Sequence, residues 1–472
     1  MRRLAALALT LLLAAPALAS TGWLHTDDHW IRDARGRVVL LRGLNYSGLE
    51  FGNFVGRQNG PAQEDFVQMA AWGVNVVRLP VAWHYLEPAP GVFDRDHLRR
   101  NVDPIVAWAR RNGMRVVLEL HQFQWSPCVG GNGVPAWSCE GKGYGRDFLG
   151  GWEAQHDFWA GALAPDGVPL VEHLLRVWER VAKHYRRSRT VVGFNFLNEP
   201  LDVYATQTFE HDTLYPFYRE AVRRVRAVKA RQMIVLEPPV TRNLGIPAKP
   251  EPVGDDDLLY APHLYTVTGG LEDLAYDGDR AKIDADYALA AREASVQGAV
   301  LWPGEYGGVV DRFPAQTTLF WHHTLDEQDE RLVGGAGWAY FPSGNGFSVV
   351  TARGEEKPGV VDALVRPYPM ETAGIPLSIA WDRSASGAFV YSFAEDTSRR
   401  VADPTVIFVP ERHFPNGFTV ETSPGDVAIV RAGRQQVWIR RDRTRAVHTV
   451  TIRPLAPPAI PAAHGGGAAR RP

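Results

Sequence analysis

This sequence contains little cysteine and few long apolar runs. It also has no large excess of charge of either sign. Only two of the 472 residues are cysteine, and 51 Lys and Arg stand against 53 Asp and Glu, a formal net charge of −2. Without a basic excess the chain has no broad positive surface for a nucleic-acid backbone, so we expect no nucleic-acid partner. The content of 45% hydrophobic and 22% charged residues excludes wholesale disorder and fibrous classes.

The apolar run at the N-terminus has the order of a secretory signal peptide. Arg2 and Arg3 precede an apolar stretch over 4–15, and Ala17-Leu18-Ala19 supplies small residues for cleavage. The stretch is too short to span a membrane. We therefore predict a signal peptide over 1–19 and a soluble secreted protein, either extracellular or periplasmic.

The two cysteines, Cys128 and Cys139, lie in a glycine-rich segment. Export brings a protein into an oxidising compartment, which favours a disulfide between them over two free thiols. A metal site would need more ligands than this pair offers, and we predict neither a metal nor a cofactor.

Short β-rich runs alternate with helical patterns along the first three quarters of the chain. The runs are almost continuously apolar, as in strands buried on both faces. They occupy 38–46, 75–81, 115–121, 191–199, 232–238, 258–265, 299–307 and 334–342, and the helical candidates occupy 62–72, 97–112, 169–187, 213–230, 280–296 and 314–330. Eight such strands predict an α/β fold, a (β/α)8 TIM barrel. A doubly wound open sheet is the rival, but no GxGxxG follows the first strand.

The pattern changes after the barrel. A short helix is expected after Lys357, and alternating polar and apolar stretches from about 375 to 453 predict a C-terminal antiparallel β-sandwich. The predicted domains are a signal peptide over 1–19, a catalytic barrel over 20–365, a β-sandwich over 366–454 and a disordered tail over 455–472. Segment 122–168 is the longest insertion, and a loop of this length usually forms a lid or a binding wall.

Polar or aromatic side chains follow every predicted barrel strand. In a parallel barrel the carboxyl ends of the strands carry the active site, so a complete set in register predicts one there. The set consists of Asn45, Arg78, His121, Asn198 with Glu199, Glu237, His263 with Tyr265, Glu305 and Trp338.

Two carboxylates stand out in this set. Glu199 follows the fourth strand within Asn-Glu-Pro, and Glu305 ends the seventh within Gly-Glu-Tyr-Gly. The ends of these strands lie nearly across the barrel mouth, so the side chains can face each other over a bound bond. Glycoside hydrolysis needs such a pair, one to protonate the leaving oxygen and one to attack the anomeric carbon. Either carboxylate alone could be structural, but the pair favours this chemistry.

The combination of motifs resembles glycoside hydrolase family 5. The match runs over the whole barrel, through Arg78 in VVRLP, His121 in LELHQ, the NEP element, His263 and Tyr265 in HLY, Glu305 in GEYG, and Trp338. The resemblance implies a retaining mechanism, with Glu199 as acid/base and Glu305 as nucleophile. Retention requires the two carboxyl groups to lie about 5–5.5 Å apart.

Charge and hydrogen bonding suggest roles around the pair. We expect Arg78 to pair with Glu305 and lower its pKa, and Tyr265 to orient it. Glu199 must keep its proton near neutrality and therefore needs less cationic surroundings.

The remaining strand-end residues are expected to bind substrate. Asn198 is placed to contact the sugar 2-hydroxyl, and His121 and His263 to bind hydroxyls or steer the carboxylates. Trp338 is expected to form the floor beneath the sugar. Burial is the alternative for either histidine and plain packing for Trp338. Glu237, followed by two prolines, is interpreted as structural.

Within the family the sequence is similar to the endoglycoceramidase branch, which releases the intact glycan from a glycosphingolipid. The similarity lies in Phe158-Trp159, in the stretch 178–182 and in the junction RPYPMETAGIPLSIAWD over 366–382. It implies a glycolipid or oligosaccharide substrate and peripheral contact with a membrane or micelle, with no obligate protein partner. Six aromatic residues of the insertion are candidates to line a lipid groove: Phe123, Trp125, Trp137, Phe148, Trp152 and Trp159.

One departure concerns the third strand. The branch typically reads Asp-Met-His-Gln-Asp, whereas this chain reads Glu-Leu-His-Gln-Phe over 119–123, so a hydrophobic residue replaces a carboxylate. Two alternatives stay open: an endo-β-1,4-glucanase or mannanase acting on polysaccharide, and a catalytically silent carbohydrate- or lipid-binding protein. The intact Glu199 and Glu305 argue against the second.

Overall fold

The computed structural model describes residues 22–265, 274–383 and 385–456. The predicted signal peptide over 1–19 and all but the first two residues of the predicted tail over 455–472 lie outside the described residues.

Eight parallel strands form the barrel, as predicted. In chain order the strands before the C-terminal region are β1 (Leu24–Asp27), β2 (Trp30–Asp33), β3 (Val38–Val39), β4 (Arg42–Tyr46), β5 (Val76–Val81), β6 (Arg115–Leu120), β7 (Val191–Asn195), β8 (Met233–Leu236), β9 (Leu258–Tyr260), β10 (Val300–Leu301) and β11 (Gly335–Tyr340). Strands β4 to β11 are hydrogen-bonded in the order β10-β9-β8-β7-β6-β5-β4-β11. The ring closes where the Ala336 amide donates to the Pro303 carbonyl at 3.0 Å and the Trp338 amide to the Tyr306 carbonyl at 2.8 Å.

Helices surround the barrel at the positions that the sequence predicts, and two further helices, Trp83–Leu86 and Phe148–Trp159, were not predicted. They are α1 (Gln63–Ala71), α2 (Trp83–Leu86), α3 (Arg95–His97), α4 (Asp103–Arg111), α5 (Phe148–Trp159), α6 (Leu170–Tyr185), α7 (Tyr215–Ala227), α8 (Arg280–Gln297), α9 (Pro314–Arg331) and α10 (Pro358–Leu364). In α6 the buried Leu174, Val177 and Val181 recur every three or four residues, so one face packs on the sheet. No helix within the described ranges combines the length and the apolar character that crossing a membrane requires.

Two antiparallel sheets follow the barrel, as expected for the C-terminal sandwich. Their strands are β12 (Tyr368–Thr372), β13 (Ile375–Trp381), β14 (Phe389–Ala394), β15 (Thr405–Phe408), β16 (Phe418–Thr422), β17 (Val427–Arg431), β18 (Gln436–Arg440) and β19 (Val447–Pro454). One sheet has the order β13-β14-β19-β16, and the other has the order β1-β2-β3-β12-β15-β18-β17.

The N-terminal strands therefore belong to a C-terminal sheet, which the sequence did not indicate. The run 38–46, predicted as one barrel strand, is divided: Val38 and Val39 pair with Thr372 and Glu371, and the barrel strand begins at Arg42. The division arises because the Leu40 amide donates to the Met370 carbonyl, so the chain passes from one sheet to the other here. The domain limits of 20–365 and 366–454 stay predictions.

The insertion over 122–168 contains a helix. Asp147 caps α5 by accepting from the Gly150 amide at 2.9 Å, and Ala154 and Phe158 are buried beneath it. Gly150 and Gly151 within its first turns weaken the helical pattern of the sequence, which is why the segment reads as a loop. The structure joins Cys128 and Cys139 of this insertion in a disulfide.

Candidate active site

The predicted residues of the strand ends converge at one mouth of the barrel. They come from all eight strands or from the residues directly after them, because a parallel barrel brings every strand's carboxyl end to the same rim. Arg78 on β5 is fully buried at their centre. Its guanidinium donates to Asn195 Oδ1 (3.0 Å), Asn45 Oδ1 (2.8 Å), Glu305 Oε1 (2.7 Å), Asn198 Oδ1 (2.9 Å) and Glu237 Oε1 (2.7 Å).

Glu305 is held on both of its oxygens. Arg78 donates to Oε1, and the Tyr265 hydroxyl donates to Oε2 at 2.9 Å. His263 Nδ1 lies 3.6 Å from the same Oε2. Arg78 and Tyr265 therefore fix the orientation of the carboxylate, and these are the two partners that the sequence suggested for it.

Glu199 lies at the exposed edge of the cluster. Its backbone adopts φ of +46°, a left-handed conformation unusual for a residue with a side chain. Its amide donates to Glu237 Oε2 at 2.8 Å, which ties this turn to the end of β8. Its Oε1 lies 2.8 Å from His263 Nδ1 and accepts from Asn243 Nδ2 at 2.6 Å.

The two carboxylates face each other at short range. A carboxylate oxygen of Glu199, one of Glu305 and a nitrogen of His263 all lie within 4.8 Å of one another. Retaining glycosidases separate their carboxyl groups by about 5–5.5 Å, while inverting enzymes need about 6.5–9.5 Å to admit a water molecule. An approach of two carboxylate oxygens to within 4.8 Å is shorter than the separation that inverting enzymes need.

The pKa directions are the reverse of those expected from the sequence. Burial raises the pKa of Glu305 above its usual range, and the charges of His263 and Arg78 only partly oppose this. Burial also disfavours the anion of Glu199, but the hydrogen bond and charge of His263 hold its pKa below the usual range. The expected directions took account of the Arg78 charge beside Glu305. They did not include the contact of His263 with Glu199, which lowers the pKa of Glu199.

The charge state of His263 determines where the proton between it and Glu199 lies. Burial alone would lower its pKa, but Glu305, Glu237 and Glu199 raise the pKa of His263 to about 10. The imidazolium is therefore the protonated partner in the Glu199–His263 hydrogen bond at neutral pH.

His121 and Trp338 form one wall of the cleft. Their rings stack with centroids 5.3 Å apart and an interplanar angle of 12°. Burial opposes charge on His121, yet Glu119, 3.2 Å away, raises the pKa of His121 to about 9. Asn198 donates through Nδ2 to the Gln122 carbonyl at 3.1 Å, so its side chain is fixed beside this wall.

Glu237 and Asn243 contact the catalytic cluster but were given no role in it from the sequence. Glu237, interpreted as structural, accepts from Arg78 and from the Glu199 amide, and its Oε2 lies 3.4 Å from His263 Nε2. Its strand-end position was the signal that could have found it. Asn243 lies in a short 3-10 helix after β8, Val240–Leu244, and no periodicity or motif marks it.

The six aromatic residues of the insertion divide into two groups. Trp125 is buried, and Trp137 and Trp159 are half-buried, so these pack the insertion. The exposed group has exposed fractions of 53% for Phe123, 57% for Phe148 and 40% for Trp152.

A barrel with two facing carboxylates at its carboxyl end is the arrangement that glycoside hydrolysis requires, and sequence comparison identifies the family. The family model described as cellulase (glycosyl hydrolase family 5) matches residues 32–343, and the glycoside hydrolase family 5 C-terminal domain matches residues 366–452. The chain belongs to glycoside hydrolase family 5.

The similar proteins include endoglycoceramidases. Endoglycoceramidase I of Rhodococcus hoagii is 27% identical over 446 residues, which cover 87% of this chain and 84% of that protein. The structure of endo-glycoceramidase II from Rhodococcus sp. in complex with ganglioside GM3 has a TM-score of 0.77 and 25% identity, covering 91% of this chain and 100% of that one. The same protein as a lactosyl-enzyme intermediate has a TM-score of 0.75 and 26% identity over 90% and 100% of the two chains.

Proposed function

We propose that this glycoside hydrolase is an endoglycoceramidase that cleaves the bond between the oligosaccharide and the ceramide of glycosphingolipids with retention of configuration. The observation that carries the proposal is an exposed apolar surface on the side of the cleft where the leaving group departs. The similarity to proteins named endoglycoceramidase supports it.

The acid/base marks the leaving-group side, because it protonates the departing oxygen. Asn243, which contacts Glu199, is followed by Leu244 and Ile246, whose exposed fractions are 61% and 52%. Exposed leucine and isoleucine beside a polar catalytic group suit an apolar aglycone.

Helix α5 extends this apolar side. It is joined to the segment after Glu199 by the Trp159 indole N–H, which donates to the Leu201 carbonyl at 3.0 Å, and by His156, whose Nδ1 lies 3.1 Å from Asp202. Its exposed apolar side chains are Phe148, Leu149 and Trp152. We propose that this surface contacts a membrane or micelle while the ceramide lies in the cleft.

The proposed mechanism has two displacements. In the first, the proton shared by His263 and Glu199 passes through Glu199 to the glycosidic oxygen, while a Glu305 oxygen bonds to the anomeric carbon and the bond to the ceramide oxygen breaks. In the second, Glu199 takes a proton from water, the water oxygen attacks the anomeric carbon, and Glu305 leaves as a carboxylate. Inversion twice gives retention.

The roles of the surrounding groups follow from their contacts. Arg78 and Tyr265 orient Glu305 and stabilise its charge when it leaves. We propose that Asn198 and His121 bind sugar hydroxyls and that Trp338 stacks on the sugar ring. We also propose that the protein is exported by its predicted signal peptide, which intact mass measurement of the secreted protein would test.

The decisive test is incubation with a panel of glycosphingolipids, carboxymethylcellulose and mannan, with released products separated by chromatography. Free ceramide with an intact oligosaccharide supports the proposal. Soluble cello- or manno-oligosaccharides without ceramide release would instead favour a polysaccharide-degrading enzyme.

A variant pair tests the apolar surface itself. Replacing Leu244 and Ile246 with Ser is expected to lower turnover of glycolipid in micelles about ten-fold or more, since each buried aliphatic side chain is worth roughly 1.5–3 kcal/mol. Hydrolysis of a soluble aryl glycoside should change far less. Val296→Ser, at a 62%-exposed position on α8, is the matched control. Equal losses on both substrates would contradict a lipid-binding role for this surface.

A further inference from the structure

The side chain of Gln122, shortly after β6, connects the insertion over 122–168 to the backbone of the acid/base. Gln122 is buried, and both ends of its amide are used. Nε2 donates to the Asn198 carbonyl at 3.0 Å and to the Glu199 carbonyl at 3.4 Å, while Oε1 accepts from the Trp125 amide at 2.9 Å. The two carbonyls require a donor and the Trp125 N–H requires an acceptor, so only an amide satisfies all three. The proposed mechanism gives this side chain no role.

The carbonyls that Gln122 contacts belong to a backbone turn that must be held in place. Glu199 has φ of +46°, a left-handed conformation that is unfavourable for a residue with a Cβ and persists where the surrounding contacts fix it. The barrel holds the amides of this turn, since the Asn198 amide donates to the Leu120 carbonyl at 3.0 Å and the Glu199 amide to Glu237 at 2.8 Å. Gln122 holds the carbonyls. The direction in which the Glu199 carboxylate leaves the backbone therefore depends on both sets of contacts.

The loop that follows Gln122 fixes the far end of its side chain. Gln124 and Trp125 have φ of +52° and +70°, and the chain turns back here so that the Trp125 amide meets the Gln122 amide oxygen. The Trp125 side chain is buried, with its ring 4.9 Å from that of Phe158 on α5. The donor to Gln122 is thus anchored by packing in the insertion.

The returning part of the loop passes directly against the backbone of Gln122. Gly133 has φ of +110°, and a Cβ there would lie 2.3 Å from the His121 carbonyl oxygen and 2.5 Å from the Gln122 Cα. Only glycine permits so close an approach. The disulfide between Cys128 and Cys139 spans this returning part and limits its movement away from Gln122.

We propose that Gln122 is a positioning residue for the reaction, through which the disulfide-closed loop holds Glu199 at the angle that proton transfer requires. The inference rests on the proposed acid/base role of Glu199. Gln122 acts through the backbone of Glu199, so its loss should impair proton transfer in both displacements.

Aryl β-lactosides whose phenols differ in acidity separate proton transfer from the other steps. A dinitrophenolate departs without protonation, whereas an unsubstituted phenol, with a pKa of about 10, needs the acid. Gln122→Met keeps the length of the side chain and removes its amide contacts. Its kcat/KM, which reports formation of the glycosyl-enzyme, should fall about ten-fold or more on the phenyl lactoside and less than about two-fold on the dinitrophenyl lactoside.

Azide gives a second readout from the same variant. With the dinitrophenyl lactoside the glycosyl-enzyme forms without the acid, and the second displacement then needs Glu199 as base toward water. Azide is already an anion and needs no base: its nitrogen bonds to the anomeric carbon as the bond to Glu305 breaks. Azide should therefore raise kcat of Gln122→Met with release of lactosyl azide, and leave kcat of the wild type unchanged.

Gln232→Met is the matched control, because the Gln232 amide has the same kind of contacts at the amino end of β8. Gln232 is buried, its Nε2 donates to the carbonyls of Tyr185 and Ser188 at 2.7 and 3.1 Å, and its Oε1 accepts from the Arg231 amide at 3.1 Å. This variant should lower the melting temperature without a difference between the two lactosides and without a response to azide.

Equal losses on the two lactosides in Gln122→Met, or no response of this variant to azide, would overturn the inference. If Gln122→Met does not fold, Gln122→Glu carries the same comparison, because it keeps the acceptor for the Trp125 amide and removes the donor to the two carbonyls. Glu199→Gln is measured in parallel. If Glu199→Gln shows no dependence on the leaving group, the proposed acid/base role fails; a dependence in Glu199→Gln that is absent from Gln122→Met overturns the role of Gln122 alone.

Discussion

Replacement of Glu237 by Gln tests how the site is held together. The substitution keeps the volume of the side chain but removes its charge and one acceptor. In the structure one oxygen of Glu237 accepts from Arg78 and the other from the amide of Glu199, at 2.7 and 2.8 Å. A glutamine can accept at only one of these positions, because its NH2 group must face the other donor.

One buried donor is therefore lost whichever way the amide lies. An unsatisfied buried group costs about 1–3 kcal/mol, and more when a charged donor is involved. If this cost raises the free energy of the transition state, kcat/KM on an aryl lactoside should fall about 10- to 100-fold. Asp329→Asn is the control, since Asp329 is also buried, and pairs with Arg42 at the amino end of the barrel.

The assay is steady-state kinetics over a pH range, with thermal melting measured in parallel. Glu237 is one of the carboxylates that raise the pKa of His263, so its removal lowers that pKa. If cationic His263 supplies the proton, activity falls as the pH rises through its pKa, and this limb should move to lower pH in the variant. A kcat/KM within two-fold of wild type, or an alkaline limb that does not move, would refute the positioning role. Asp329→Asn should lower the melting temperature while leaving the pH limb unchanged.

Three further predictions concern catalysis and stability. Glu305→Gln should reduce turnover by at least about 10³-fold while circular dichroism shows an unchanged fold, and retained turnover would contradict the nucleophile assignment. Glu199→Gln should cost about 10²–10⁴-fold on a glycolipid but much less on an aryl glycoside, whose leaving group needs little protonation; equal losses would exclude the acid role. Replacing Cys128 and Cys139 with Ser should lower the unfolding free energy by roughly 2–3 kcal/mol, measured by denaturant titration, since the bridge closes a short loop; an unchanged midpoint would show that the bridge adds no stability.

The sequence predicted the barrel because each strand is an apolar run that must be buried on both faces. It also placed Arg78, Glu305 and Tyr265 correctly, since residues that end neighbouring strands of one barrel meet at its rim. Asn243 could not be predicted, because the single 3-10 turn that carries it is too short to show a periodicity and is positioned by tertiary contacts.

Neither the pKa directions nor the pairing of the N-terminal strands could be predicted from the sequence. A pKa depends on every charge within a few ångströms, and the position of His263 between Glu199 and Glu305 is set by the closure of the barrel. The pairing of β3 with β12 joins residues more than 300 positions apart, for which no local pattern exists. Strand order at that separation is a property of the folded chain.

The attachment of α5 links substrate recognition with catalysis. The segment that follows Glu199 accepts a hydrogen bond from Trp159 at Leu201 and contacts His156 through Asp202. The helix that presents the exposed aromatic side chains is thereby fastened to the residues that fix the acid/base. In the proposed function, a lipid surface that positions this helix also positions the cleft relative to the scissile bond.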